Sequence, residues 1–247
     1  MPAERNTGLD HQAPLKGLVG SIGALALINA LLIVAGVFLR PASAAGFSGV
    51  VGVIAPVSVQ LGYWLLWRSA FWAKALHAPR VWRISSLFGF AASFVFCSEI
   101  LLEYVILPSS AMNARLGWIE FGTAFVLFTI SAFWSSLTTG SIRTSLRVVA
   151  AAAMISSQVW LTTLWVVTYA FWGTTRQESV FRAEGDYEDF ARSGMHDFSS
   201  FTLQDLRGAS FFHPILGPLI AMILGLVAAS LAILVRSIQK TIPASNE

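Results

Sequence analysis

Three carboxylates interrupt apolar sequence in this chain: Glu99 and Glu103, four residues apart, and Glu120. A spacing of four is about one helical turn, so Glu99 and Glu103 share a face. They are the only acids within apolar runs of membrane-spanning length. An ionised side chain in hydrocarbon is costly, so such acids face a bundle interior or a wet cavity and take a partner, a proton or a cation. Neighbouring acids also raise one another's pKa, which favours a shared proton or a bound cation. Glu99, Glu103 and Glu120 are therefore the ion- or proton-site candidates. Glu103 and Glu120 lie close enough to the span ends to reach headgroup water, with Arg115 between them as an available partner. Glu99 lies a turn deeper, roughly 22 Å from the far end of its span at about 1.5 Å per residue.

The elements that must position these acids follow from composition. With 247 residues, 55% hydrophobic and 12% charged, and a mean hydropathy of +0.68, the chain is far too apolar for a water-soluble domain. The expected fold is all-α, a polytopic transmembrane helical bundle of six spans near 17–39, 47–67, 84–107, 117–138, 146–172 and 212–235. Each is close to the ~20 apolar residues that a spanning helix needs. A polar tail (1–16) precedes the transmembrane domain (17–238), and a second tail (239–247) follows it. The loop 173–211 reads as an extracytoplasmic lid, and Pro108 to Leu116 as the polar loop that joins the two acid-bearing spans. An Ala-x-Ala pattern at Ala42 to Ala44 raises a cleaved leader, but the first apolar run exceeds the 7–15 residues of such leaders and Arg40 intervenes.

Lysine and arginine placement sets the expected orientation. Segments on the side of the termini carry Arg5, Lys16, Arg68, Lys74, Arg80, Arg83, Arg143, Arg147, Arg236 and Lys240. The short loops on the other side carry Arg40 and Arg115. Both termini are thus expected in the cytoplasm, and the chain in a bacterial cytoplasmic (inner) membrane. Trp118 and Trp172 at one level, with Trp64 and Trp67 at the other, fit interfacial belts or packing between helices.

Asn29, Gln60 and Gln158 fall near the midplane on three spans. They could line a solute path, but interhelical hydrogen bonding is the favoured reading. On the lid, the run from Gly185 to Gly194 predicts a turn, a short helix with acids in its first turn, and a glycine stop. Ser199 or Ser200 and Gly208 bracket a second short helix. His196, Asp197 and His213 lie on the same side as the glutamates and could serve a divalent metal, although their spacing matches no metal motif.

Several chemistries lack their signatures: the chain has no phosphate-cradling glycine loop, no Gly-x-Ser-x-Gly elbow and no His-Glu-x-x-His. No apolar span holds a lysine, and one cysteine, Cys97, cannot form a disulfide within the chain. The net charge of +3 is too small and too dispersed for a nucleic-acid surface. No catalytic residue and no cofactor is assigned, and the first three spans show no repeat of the last three.

The stretch from Phe181 to Met195, with Gly208 to Pro218 after it, resembles a family of uncharacterised bacterial six-span membrane proteins, most clearly from the third span onward. The resemblance implies a bacterial cytoplasmic membrane and brings no activity or substrate. Three functions stay open. One is transport of a cation or small solute, with Glu99 as the site and Glu103 and Glu120 at its mouth. The alternative is a non-catalytic accessory or regulatory subunit, whose partner is another membrane protein or a second copy. The third is a metalloenzyme using His196, Asp197 and His213. In each the bilayer is the one assured partner.

Overall fold

The computed structural model describes residues 12–69, 79–106 and 110–241. The described residues form eight α-helices and no strand: α1 Gln12–Leu39, α2 Gly46–Arg68, α3 Pro79–Ile106, α4 Ser110–Thr139, α5 Ile142–Ala170, α6 Thr175–Glu184, α7 Asp186–Ser193 and α8 Phe198–Thr241. A short 3-10 turn, Pro41–Ala44, joins α1 to α2. Six of the helices are long and apolar enough to cross a membrane, which makes this an all-α, multi-pass membrane protein. With six crossings, the ends of α1 and α8 lie on one side and the short helices α6 and α7 on the other. Parts of the two expected tails, the connector around Lys74 and the start of the loop at Pro108 lie outside the described residues.

The fifth span is the centre of the bundle. In α5, 61% of the span is buried, against 22–39% for the others, and it packs against α3, α4, α8 and α1. Its sequence explains why. The run Ala150 to Ala153, with Ser145 and Ser156, is buried on every side, and small side chains let neighbouring backbones approach closely. Gly89 of α3 lies so near α5 that a Cβ there would stand 2.9 Å from the Ala152 carbonyl oxygen. At Gly225 of α8 a Cβ would stand 2.7 Å from Val149 Cγ1. In lipid, hydrocarbon burial gives little drive for helix association, so contacts of this kind carry it. The outward faces remain apolar: Leu31, Phe47, Phe94, Trp118 and Val227 are all exposed, as surfaces that meet lipid tails must be.

Pro214 and Pro218 lie inside α8 without ending it. Each lacks an N–H and so frees the carbonyl four residues earlier, at Ser210 and Pro214 respectively. Both freed acceptors are satisfied from α2. Gln60 Nε2 donates to the Ser210 carbonyl at 3.4 Å, and the Tyr63 hydroxyl donates to the Pro214 carbonyl. Trp165 of α5 adds a bond to Ser210 Oγ at 2.8 Å. Asn29 locks α1 to α5 in the same manner, donating to Gln158 Oε1 at 2.9 Å while accepting from Thr162 Oγ1 at 2.9 Å. All three midplane amides therefore lie in contacts between helices, each with no solvent exposure.

Three sequence expectations need correction. The loop expected over Pro108 to Leu116 is helical from Ser110, because Ser110 to Leu116 contains no breaker, whereas the membrane-crossing part of that helix, Arg115–Thr139, agrees with the expected fourth span and keeps Glu120 near its start. The lid loop ends at Asp197 rather than at residue 211. From Phe198 a single helix of 44 residues continues through Gly208 into the sixth span; at about 1.5 Å per residue it is about 66 Å long, so its first turns stand clear of a ~30 Å hydrocarbon layer. Gly208 costs only ~1 kcal/mol in a helix, and buried Leu203, Leu206, Arg207 and Ser210 around it hold the helix in place. The cap of that helix is Asp197, whose carboxylate accepts from the backbone N–H groups of Ser199 and Ser200 and from the Ser200 hydroxyl. Of the two readings open for it, Trp67 takes packing: it is buried, with its ring centroid 5.4 Å from that of Trp82 on α3.

Candidate functional site

The loop between the fifth and sixth spans, the expected lid, folds into α6 and α7. Thr174 caps α6 by accepting from Gln177 N at 3.3 Å. Gln177 in turn donates to the Thr168 carbonyl at 3.0 Å, which fixes α6 to the end of α5. Arg176 reaches the Val105 carbonyl near the end of α3 at 2.5 Å, and Val180 is buried with Ile100, Tyr104 and Val167. Gly185 (φ 90°) and Gly194 (φ 71°) then bracket α7 in left-handed conformations that glycine adopts without penalty. Phe198 sits at the centre of a ring cluster, stacked on Tyr187 at 4.3 Å and meeting Phe181 and Phe190 edge-on.

Beneath this lid the acids divide into two groups. Glu103 lies near Glu184 of α6, close enough for each carboxyl to influence the other. Asp186 and Asp205 lie within electrostatic reach of the same group. Crowding by protein around its carboxyl, then the charges of Glu103 and Asp186, push Glu184 above the ordinary carboxylate range; retained solvent access at this residue moderates the shift. Burial, then Asp205 and Glu103, push Asp186 up to about 6. The two ion pairs among the described residues, Arg182 with Glu178 and Arg192 with Asp189, lie on the outer surface of the lid. Glu103, Glu184, Asp186 and Asp205 thus form a cluster of acids, the vestibule, and none of the four takes part in those two ion pairs.

Glu99 and Glu120 belong to the second group, one level deeper. Both line a cavity of about 380 Å³ walled by residues of α3, α4, α5 and α8. Glu99 reaches toward α4, with Oε1 3.7 Å from where a Cβ at Gly117 would lie. Glu120 is only 4% exposed, and its Oε2 accepts no hydrogen bond from any described residue. Ser156 Oγ, also on the cavity wall, is likewise buried and unpartnered. The remaining wall is largely aromatic: Phe96, Phe121, Phe125, Phe128 and Trp160. His213 completes it, stacked on Trp160 with ring centroids 4.3 Å apart.

The three glutamates therefore do not meet at one point. Glu103 serves the vestibule, whereas Glu99 and Glu120 serve the cavity. The metal set His196, Asp197 and His213 is not assembled either. His196 is exposed on the lid, Asp197 is spent on the cap of α8, and His213 faces the cavity. Fifteen residues of helix, about 22 Å at 1.5 Å per residue, separate the start of α8 from His213. No group of three or more metal-ligating side chains occurs among the described residues.

Sequence reasoning missed the aromatic wall and the vestibule acids Glu184, Asp186 and Asp205 as partners of Glu103. The wall had a signal. Phe121, Phe125 and Phe128 recur at helical spacing beside Glu120, which places a carboxylate and three rings on adjoining strips of one helix. A buried arginine was missed as well: Arg207, 1% exposed, donates to the Ser43 carbonyl and to Ser43 Oγ, both at 2.9 Å, and so ties α8 to the turn after α1. It lies away from the cavity wall. Neither a known family model nor any curated protein or solved structure matches this chain.

Proposed function

We propose that this protein moves a cation or small cationic solute across the membrane by way of the cavity that holds Glu99 and Glu120. One observation carries the proposal: Glu120 is a carboxyl group buried among helices, lining a cavity, with one oxygen that no described residue satisfies. A buried carboxylate without a partner is destabilising, so its retention is understandable where a transient cation or proton completes it. Two further features support the same reading. No lysine or arginine lines the cavity, so nothing there favours an anion. The vestibule acids add negative potential above it, which raises the local concentration of cations.

The lid side is read as extracytoplasmic from the distribution of lysine and arginine. In that orientation the vestibule faces the outside and the cavity lies in the outer half of the membrane.

Reconstituted vesicles test the proposal. Fluxes of protons, sodium, rubidium and small ammonium ions are measured with purified protein and with Glu120→Gln and Glu120→Asp variants. The expected result is flux of at least one of these cations above protein-free vesicles, reduced tenfold or more by Glu120→Gln and partly retained by Glu120→Asp. Flux indistinguishable from protein-free vesicles across the panel, or flux indifferent to Glu120→Gln, would overturn it.

A further inference from the structure

We infer that the cavity of Glu99 and Glu120 is built for an organic ammonium ion, a cation with an apolar body, and not for a bare or hydrated metal ion. The inference rests on the transport reading above and names its substrate class.

Hard metal cations want six or more oxygen ligands, at least partly supplied by carbonyls, carboxylates and water. The oxygen-bearing side chains of the cavity, Glu99, Glu120, Ser156 and Ser157, are spread over three helices, no group of three or more metal-ligating side chains is assembled among the described residues, and most of the rest of the wall is ring and hydrocarbon. Softer metals need imidazole or thiolate in sets, and His213 is the one such ligand on the wall. Its ring is stacked on Trp160 rather than grouped with other ligands.

An organic ammonium ion matches each feature in turn. In a quaternary ammonium, the case proposed, the charge is spread over a group too poorly hydrated to demand an oxygen cage, and aromatic faces attract it through their quadrupoles, most strongly where water is excluded. Phe96, Phe121, Phe125, Phe128 and Trp160 supply those faces, and the unsatisfied Oε2 of Glu120 supplies the counter-charge. The volume, about 380 Å³, lies at the lower end of the ~300–1,000 Å³ of small-molecule pockets and exceeds what a metal ion needs. Phe121 on α4 and Leu216 and Ile220 on α8 line the cavity and are also substantially exposed. The cavity thus opens sideways between these two helices, toward lipid, the phase in which an apolar body partitions.

The test compares benzyltrimethylammonium with neopentylbenzene, its uncharged carbon isostere, and with rubidium. Binding to full-length protein in lipid nanodiscs is measured by calorimetry and corrected against empty nanodiscs. Benzyltrimethylammonium is expected to bind saturably, at least tenfold more tightly than the neutral isostere, with no competition from equal rubidium. Glu120→Gln should weaken it tenfold or more, Phe125→Leu roughly threefold or more, and Glu120→Asp should retain most of the affinity. The comparison of the two isosteres on unaltered protein stands even if a variant fails to fold. Equal affinity for the neutral isostere, displacement by rubidium, or no saturable binding of benzyltrimethylammonium would overturn the inference. Glu120-dependent rubidium flux without ammonium binding would sink the organic substrate and leave the transport reading intact. Absence of any cation flux would remove both.

Discussion

Glu120 and Asn29 show two fates of a polar side chain buried among helices. Asn29 is matched: its amide meets Gln158 and Thr162 across the α1–α5 contact, and bonds of this kind average roughly 0.6 kcal/mol. Glu120 is not, for its Oε2 lacks a partner. A buried polar atom left without a partner costs roughly 1–3 kcal/mol, a cost that an apolar residue of similar size does not carry. Glu120→Leu is therefore expected to leave thermal unfolding in detergent unchanged or shifted upward while abolishing cation flux, whereas Asn29→Leu should lower stability by about 0.5–1.5 kcal/mol. A marked loss of stability in Glu120→Leu would identify the carboxyl as structural.

At the scale of the element, α8 tolerates two prolines because α2 supplies what they remove. Tyr63→Phe deletes the donor to the Pro214 carbonyl, and a lost bond to a buried acceptor costs roughly 1–3 kcal/mol. Pro218→Ala restores a backbone N–H four residues after that carbonyl. In a double-mutant cycle, Tyr63→Phe should therefore cost less in the Pro218→Ala background, with a coupling of about 1 kcal/mol measured by unfolding. Additive effects would show that the hydroxyl contributes elsewhere.

The lid obeys a different rule. Asp186 has an ordinary value of 3.8 and stands at about 6 in the folded lid, through burial first and then Asp205 and Glu103. The folded lid thus holds this proton more tightly than the unfolded segment does. Its contribution to stability is fully present below about 3.8 and is lost as pH rises through about 6. Glu184, also raised, acts in the same direction. Hydrogen exchange in α6 and α7, corrected for intrinsic rates, should show stronger protection at pH 5 than at pH 7.5. Asp186→Asn should flatten much of that difference; equal protection at both pH values would mean that the acids do not govern docking.

For the whole molecule, orientation is set by charge: lysine and arginine are concentrated on the side of the termini, and the positive-inside rule predicts that side in the cytoplasm. In a Cys97→Ser background, Ser193→Cys at the end of α7 should react with an impermeant thiol reagent added to intact cells. Gln239→Cys near the end of α8 should react only after permeabilisation. The reverse pattern would invert the topology and turn the vestibule toward the cytoplasm.

Membrane class, helix count and the cost of three intramembrane acids were all legible in the sequence, because each depends on local composition over about 20 residues and on the price of charge in hydrocarbon. The short helix α7 was legible too, since its glycine brackets and first-turn acids act locally. What lay beyond it was the lateral arrangement of the helices. Hydrophobicity does not distinguish a lipid-facing strip from a buried one in a span that is apolar all round, so it did not place Phe96 opposite Phe121, and the small residues of α5 permit close packing without naming the helices that pack there. Nor could spacing alone separate Glu103 from Glu99: they share a face, but α6 descends over one of them and α4 passes the other. Only tertiary packing, through the close approaches at Gly89 and Gly225 and the repair of two proline-broken carbonyls by α2, decided which carboxylates share a cavity and left Glu120 there with an unmatched oxygen.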